Sequence, residues 1–514
     1  MPLIFRPTRA ALVTACLGLL SLISHRSLFA ADYLLTLSGG YHKTGNQASL
    51  EANVVFFQQL LADHPVAGRR HDIFFADGDD PVADLQIVAE KPGPSESPVT
   101  DLLSALHRRR GEAGEQRLDY RNHRVPEIAG ALDPARIRER LEKFAETAKS
   151  GDRLLVYVTA HGSPGPRDDR FNTTIDCWNK KKITAREFTK LLDKLPAEVP
   201  VVLVMAQCYC GGFSHTLFTG LEEEQGLAPQ VRAGFFAQQH DLPAAGCRPD
   251  IEHDEEFSSY FWGAFAGRTR NGVKITGVDL DGNGVVSFAE AFAYTVTAAE
   301  TIDIPLRTSE VFLRTYSRLT HDNVENDDDK RPELVQLTGS IETILEGCRP
   351  VTRRIVTGLC EKLGRTLQDD VAAIRSAHDD SRRAPRAPGR RGPRSSSGRR
   401  ELLREIGEKW PELNEEKWAE SELLALDKQE ALLKEIHELP SWKTYDERRT
   451  QSADADKESD RRELRTVKFR RLLNALEAAV LERNLPRVAT PEILARYQQL
   501  LALEESGLLP PQAR

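Results

Sequence analysis

Two short apolar runs constrain the fold of this chain more than any other feature. Leu154-Leu-Val-Tyr-Val-Thr-Ala160 leads directly into His161-Gly162, and Val201-Val-Leu-Val-Met205 leads through Ala206-Gln207 into Cys208, with Gly211 and Gly212 close behind. Neither run alternates apolar with polar residues, as a half-exposed strand would. Continuous β-branched and aliphatic runs of this length belong in a parallel sheet covered on both faces. Open α/β sheets carry their chemistry at the carboxyl tips of such strands. One tip delivers a histidine and the other a cysteine, which supply a base and a nucleophile when the strands are neighbours.

Helices and strands alternate around this pair. Tyr33–Leu37 and His71–Phe75 read as strands, separated by helical spacing at Leu50, Val54, Phe57 and Leu61. Pro134 to Ala148 is an amphipathic helix with Asp133 at its N-cap, and Thr184-x-x-Glu187 is a capping box that opens the helix feeding the cysteine strand. Ala233–Gln238 reads as a further strand. The pattern predicts an α/β domain over 32–318, a mostly parallel central sheet flanked by helices. Residues 90–125, Pro-rich and then Arg-rich, read as a surface insertion. From about Pro332 the strand pattern stops, which predicts an all-α C-terminal extension. Its parts are a helical stretch at 319–380, a disordered basic linker at 381–400 and a helical region at 401–514. In the last of these, Leu472, Leu473, Leu476 and Val480 recur at helical spacing.

The 514 residues carry a net charge of −8, which argues against nucleic acid as a partner of the whole chain. Residues 1–31 read as a secretory signal. Arg6 and Arg9 precede an apolar stretch from Ala10 to Ile23, and Leu28-Phe-Ala-Ala31 offers small residues for cleavage near Ala30 or Ala31. The expectation is therefore an exported protein, periplasmic or secreted, with no stable membrane span once the signal is removed. In an oxidising compartment Cys348 and Cys360 would suit a local disulfide. Cys210, two residues past Cys208, reads as a small buried filler beside the turn.

The thiolate is the attacking form of cysteine, and His161 would generate it. The backbone N–H groups of Gly162 and Cys208 would bind the oxyanion of a tetrahedral intermediate. A second motif is sharper still. Asp279-Leu-Asp281-Gly-Asn283-Gly-Val285-Val-Ser287-Phe-Ala-Glu290 fits the twelve-residue EF-hand loop without a mismatch. Asp279, Asp281, Asn283, Val285, Ser287 and Glu290 would supply the six to eight oxygens that Ca2+ requires. The preceding Val273–Thr276 reads as a strand in place of the usual first helix. A single loop of this kind in an exported protein is expected to be structural.

Apolar strand–His161-Gly162, spacer, apolar strand–Ala206-Gln207-Cys208 resembles the signature of the caspase–legumain clan of cysteine peptidases. The likeness spans about residues 33–317 and includes Ser38-Gly-Gly-Tyr, Gly45-Asn-Gln, Arg121-Asn-His, Asn172-Thr-Thr, Ala244-Ala-Gly-Cys, Tyr260-Phe-Trp and Thr308-Ser-Glu. These look like landmarks of bacterial secreted, legumain-type members. The resemblance implies a caspase-like fold, endopeptidase activity on protein or peptide substrates, His161 as base, Cys208 as nucleophile, and Gly162 in the oxyanion hole, with no obligatory third catalytic residue. The Arg-His pair of the legumain pattern is replaced here by Gly45-Asn46, so asparagine specificity does not transfer. Asp254 or Glu256, lying between the cysteine strand and Tyr260-Phe-Trp262, would favour Lys or Arg by charge complementarity. The resemblance also suggests that the C-terminal helices dock over the catalytic face and inhibit it until cleavage near 381–400. The alternative function is a catalytically silent calcium-binding scaffold of the same fold.

Overall fold

A computed structural model describes residues 32–65, 69–88, 98–107, 118–246, 256–320, 333–383, 395–414, 418 and 421–508. The expected signal at 1–31, Cys247, Asp254 and positions 384–394 of the basic stretch lie outside the described residues.

The central sheet has six strands: β1 (Asp32–Gly39), β2 (Arg70–Phe75), β3 (Arg153–Ala160), β4 (Val201–Met205), β5 (Arg232–Phe236) and β6 (Leu306–Arg307). Their order is β6-β5-β4-β3-β1-β2, all parallel except β6, which pairs antiparallel with β5. Every residue of β1, β3, β4 and β5 is buried, which explains their unbroken apolar runs. The chain leaves β1 toward β2 on one side and returns to β3 on the other. That reversal opens a crevice between the loops that follow β1 and β3, the place where such sheets bind ligands.

Helices cover both faces. On one, α1 (Ala48–Asp63) packs against the sheet, and Phe57 meets Tyr157 of β3 with ring centroids 5.0 Å apart. On the other lie α2 (Pro134–Thr147) and α3 (Ala185–Leu192), which start as the sequence predicts. Asp133 accepts from the Ala135 N–H at 2.8 Å, and both bonds of the Thr184/Glu187 capping box are made. After β5 come α4 (Phe257–Ala266), α5 (Phe288–Ala298) and α6 (Thr308–Tyr316). Trp262 of α4 meets Phe57 at 4.3 Å between ring centroids, so α4 shares the α1 face.

The C-terminal helices are α7 (Pro350–Leu363), α8 (Val371–Arg383), α9 (Trp442–Val488) and α10 (Pro491–Glu504). They are not a separate module. Phe469, Leu472, Leu476, Leu485 and Leu501 belong to the same buried core as the sheet. The end of the chain reaches the amino ends of the central strands. Arg153, at the amino end of β3, donates to Gly507 O at 2.9 Å and to Leu508 O at 3.2 Å, and Arg69 donates to Leu508 O at 2.9 Å. Arg153 also pairs with Asp32 at the start of β1 at 2.9 Å. The tail is therefore fastened at the amino ends of β1 and β3, the end of the sheet opposite Cys208.

Other expectations need correction. The 90–125 stretch contains a helix, Pro98–His107, whose Val99, Leu102, Leu103 and Leu106 form a second core with Leu402, Ile406, Leu432 and Ile436. The expected disordered linker is helical at both ends, where Ser381–Arg383 finishes α8 and residues from 395 begin another helix, Ser395–Lys409. Val273–Thr276 makes one bridge, Lys274 with Arg268, rather than a strand. Cys348 and Cys360 are both free. Cys360 sits in the third turn of α7, carried roughly 15 Å along the helix axis from Pro350 by the rise of about 1.5 Å per residue, out of disulfide reach.

Because α9 and the sheet share one core, Leu476→Ala should destabilise the whole molecule by about 3 kcal/mol. Urea unfolding followed by Trp262 near β3 should move as one transition. An unchanged Trp262 transition would mean that α9 is detachable.

Candidate active site

The parallel ladder of β3 and β4 ends with Val158 opposite Met205. Beyond that pair the chain leaves both strands, and Gly162 packs against Cys208, which keeps the two tips side by side. A side chain at 162 would prevent this approach, because a Cβ there would lie 2.2 Å from the Cys208 carbonyl oxygen and 2.9 Å from Gln207 Cγ. Glycine is thus required for the tips to close. Directly after the cysteine, Tyr209 adopts φ 60°, a left-handed conformation that non-glycine residues rarely hold except where the surroundings enforce it.

The histidine is oriented by the loop that leaves β1. Its Nε2 lies 2.7 Å from Gly45 O and 2.9 Å from Gln47 Oε1. Both partners are acceptors, so Nε2 carries the proton and Nδ1 keeps the lone pair. Burial pushes the His161 pKa down, against the Gly45 hydrogen bond and the charge of Asp176, which hold it up. The neutral base is therefore favoured. Asn46, fully buried between the two acceptors, fixes the loop: its Oδ1 accepts from Gly40 N–H at 3.0 Å, its Nδ2 donates to Asp84 at 2.8 Å, and its carbonyl accepts from Gln86 N–H at 2.7 Å. Gly45 and Gln47, which the resemblance does not mark as site residues, orient the imidazole.

The cysteine is set by the loop after β5. Cys208 Sγ faces both backbone groups of Ala244, with the Ala244 N–H pointing at it across 3.3 Å and the thiol facing Ala244 O across 3.8 Å. Ala245 N–H is in turn held by the Asp303 carboxylate at 2.7 Å. The Gly162 N–H has no acceptor among the described residues and can serve a developing oxyanion beside the Cys208 backbone. Cys210 is a buried filler, as expected. Its Sγ exchanges hydrogen bonds with Gln238 O at 3.5 Å and Gln238 N–H at 3.3 Å, and burial pushes its thiol pKa far up.

The acidic specificity residue is a correction. Glu256 is buried and forms an ion pair with Arg270, which also donates to Asn53 Oδ1 at 2.8 Å. Its charge is already answered inside the protein, so it offers no free acid to a basic substrate. The alternative, Asp254, lies outside the described residues.

The acidic loop at 279–290 is preorganised by its own backbone. Asp279 accepts from Gly282 N–H at 2.8 Å and Gly284 N–H at 2.9 Å, and Asn283 Oδ1 accepts from Val285 N–H at 2.8 Å. Ser287 and Glu290 form the capping box of α5. Carboxylate oxygens of Asp279, Asp281 and Glu290 lie within 4.8 Å of one another. Oxygens ligating one Ca2+ at about 2.4 Å stand at most about 4.8 Å apart, so the donor set fits the ion.

No family model matches the chain. Among curated proteins, a segment of Metacaspase-6 from Arabidopsis thaliana is 32% identical over 82 residues, which is 15% of this chain and 22% of that protein. The likeness therefore reaches about a fifth of the relative's length and points, at that coarse level, to a caspase-like peptidase. The crystal structure of protein GSU0716 from Geobacter sulfurreducens overlaps 54% of this chain and 93% of its own at 12% identity, with a TM-score of 0.31, too loose to assign a fold.

Gln47→Glu should place a carboxylate against Nε2 and raise the His161 pKa above that of the wild type, since an opposite charge favours imidazolium. Imidazole NMR titration checks this. An unshifted His161 would mean that the Gln47 contact does not exist in solution.

Proposed function

We propose that the chain is an exported cysteine endopeptidase acting through a Cys208/His161 dyad, its domain braced by a calcium ion. One observation carries this reading: His161 donates Nε2–H to two oxygens, leaving Nδ1 as a base next to Gly162, which packs against Cys208.

In this mechanism Nδ1 of His161 takes the thiol proton as Sγ of Cys208 attacks the scissile carbonyl carbon. The N–H groups of Gly162 and Cys208 receive the oxyanion. When the intermediate collapses, the imidazolium gives its proton to the departing amine, leaving an acyl group on Sγ. A water deprotonated by His161 then attacks that thioester, and the carboxylate leaves with Cys208 restored. The lowered pKa of His161 suits this role, because burial favours the neutral imidazole that accepts the thiol proton. Export rests on the composition of residues 1–31.

Asp279, Asp281, Asn283, Val285, Ser287 and Glu290 would hold the calcium. When bound, the ion offsets the mutual repulsion of the three carboxylates and ties the loop to the start of α5. Such a site is expected to bind with Kd of about 10⁻⁴–10⁻³ M, as extracellular modules do.

A thiol-directed peptidyl probe should label the wild type in reductant and calcium, and Cys208→Ala or His161→Ala should abolish labelling. A peptide library then reports the preferred bond. Absence of labelling and of cleavage sinks the peptidase reading and favours a silent scaffold.

Calorimetry should show one Ca2+ site, weakened about tenfold or more by Asp281→Ala, since affinity follows the ligand charge. Equal affinity in the variant would place the ion elsewhere.

A further inference from the structure

The long helix α9 sends one arginine into the interior of the sheet domain. Arg471 is only 2% exposed, yet each of its five N–H donors has an acceptor. Nε donates to Asp303 O at 2.8 Å. One terminal nitrogen donates to Val296 O at 3.0 Å and Ala299 O at 2.8 Å, and the other to Thr301 O at 2.9 Å and Thr301 Oγ1 at 3.2 Å. Val296 and Ala299 lie at the carboxyl end of α5, where the helix dipole favours a cation. The guanidinium thus gathers a helix end and the turn after it into one rigid knot.

That turn leads to the nucleophile. Thr301 Oγ1 donates to Asp303 Oδ2 at 3.0 Å, and Asp303 Oδ1 accepts the Ala245 N–H at 2.7 Å. The next amide back, Ala244 N–H, is the one that faces Cys208 Sγ at 3.3 Å. Gln238 ties the same two segments, donating to Pro243 O at 3.1 Å and accepting from Ile304 N–H at 3.2 Å. Asp303 is fully buried, and burial raises its pKa while the charge of Arg471 opposes that rise. Without Arg471, the carboxylate that fixes the 244–245 backbone loses its nearby positive charge, and the helix end and the turn together lose five hydrogen bonds.

We propose that Arg471 is a positioning residue for Cys208, so that the C-terminal helix completes the nucleophile's environment instead of inhibiting it. This inference rests on the peptidase reading for its consequence, and on the hydrogen-bond path alone for its geometry.

The test compares Arg471→Ala, Arg471→Lys, Asp303→Ala and Asp303→Asn in the full-length protein. Leu476→Ala on the same helix is the control for lost stability. Iodoacetamide alkylation of Cys208 is followed by mass spectrometry across pH, and kcat and KM are measured with a cleaved peptide. Arg471→Ala should raise the apparent pKa of the Cys208 thiol and lower kcat about 100-fold, the scale of small misplacement in a catalytic site, with KM near wild type. Arg471→Lys should recover part of both effects. Asp303→Asn, which keeps an oxygen for Ala245 N–H, should outperform Asp303→Ala and keeps the test alive if Arg471→Ala does not fold. Leu476→Ala should leave the thiol pKa in place. An unchanged thiol in Arg471→Ala overturns the proposal, as does an equal shift in Leu476→Ala or a rise in kcat. If the wild type alkylates normally but cleaves nothing, the peptidase reading fails, while the thiol shift still decides the role of Arg471.

Discussion

The site depends on the close approach of two strand tips, with no room for even a methyl group between them. The β3–β4 ladder sets the register, and Gly162 against the Cys208 carbonyl lets it continue past the last paired residues. Every other feature of the site acts on a geometry fixed by that contact. The 45–47 loop chooses the tautomer of His161, and the 244–245 loop directs an amide at the sulfur. Neither loop would have a partner to orient if the tips were splayed apart.

Much of this was legible in the sequence because buried parallel strands write themselves as unbroken apolar runs. His161, Gly162, Cys208, the Thr184 capping box and the twelve-residue acidic loop all use side-chain identities that physics requires at fixed spacing. What could not be read was the work done by the backbone. Gly45 O and Ala244 N–H are groups that nearly every residue carries, so no sequence pattern marks them. Glu256 misled for the complementary reason. An acid looks available until its cation is found, and Arg270 comes close only through folding. The helix at Pro98–His107 was legible, since Val99, Leu102, Leu103 and Leu106 follow helical spacing, but proline and arginine around it obscured the pattern.

The C-terminal helices show how a chain that reads as two regions can fold around one core. Local periodicity identified α9 correctly as a helix, yet said nothing about what its apolar face would cover. The answer lies in long-range contacts: Glu504 receives the Ser309 hydroxyl at 2.9 Å, Ser317 donates to Leu481 O at 2.6 Å, and Arg496 donates to Pro229 O at 2.8 Å. The first two of these anchors are buried, where they fix orientation as well as stability.

The buried state of Cys210 has a consequence for redox chemistry. Two thiols two residues apart in an oxidising setting would ordinarily invite one to resolve the other. Here the second is bonded to the Gln238 backbone and kept protonated by burial, so it supplies almost no thiolate for exchange. A sulfenic acid formed on Cys208 would therefore wait for a small external thiol rather than close internally. If Cys208 is the nucleophile proposed above, it would be oxidisable yet recoverable, its activity following the reductant around it.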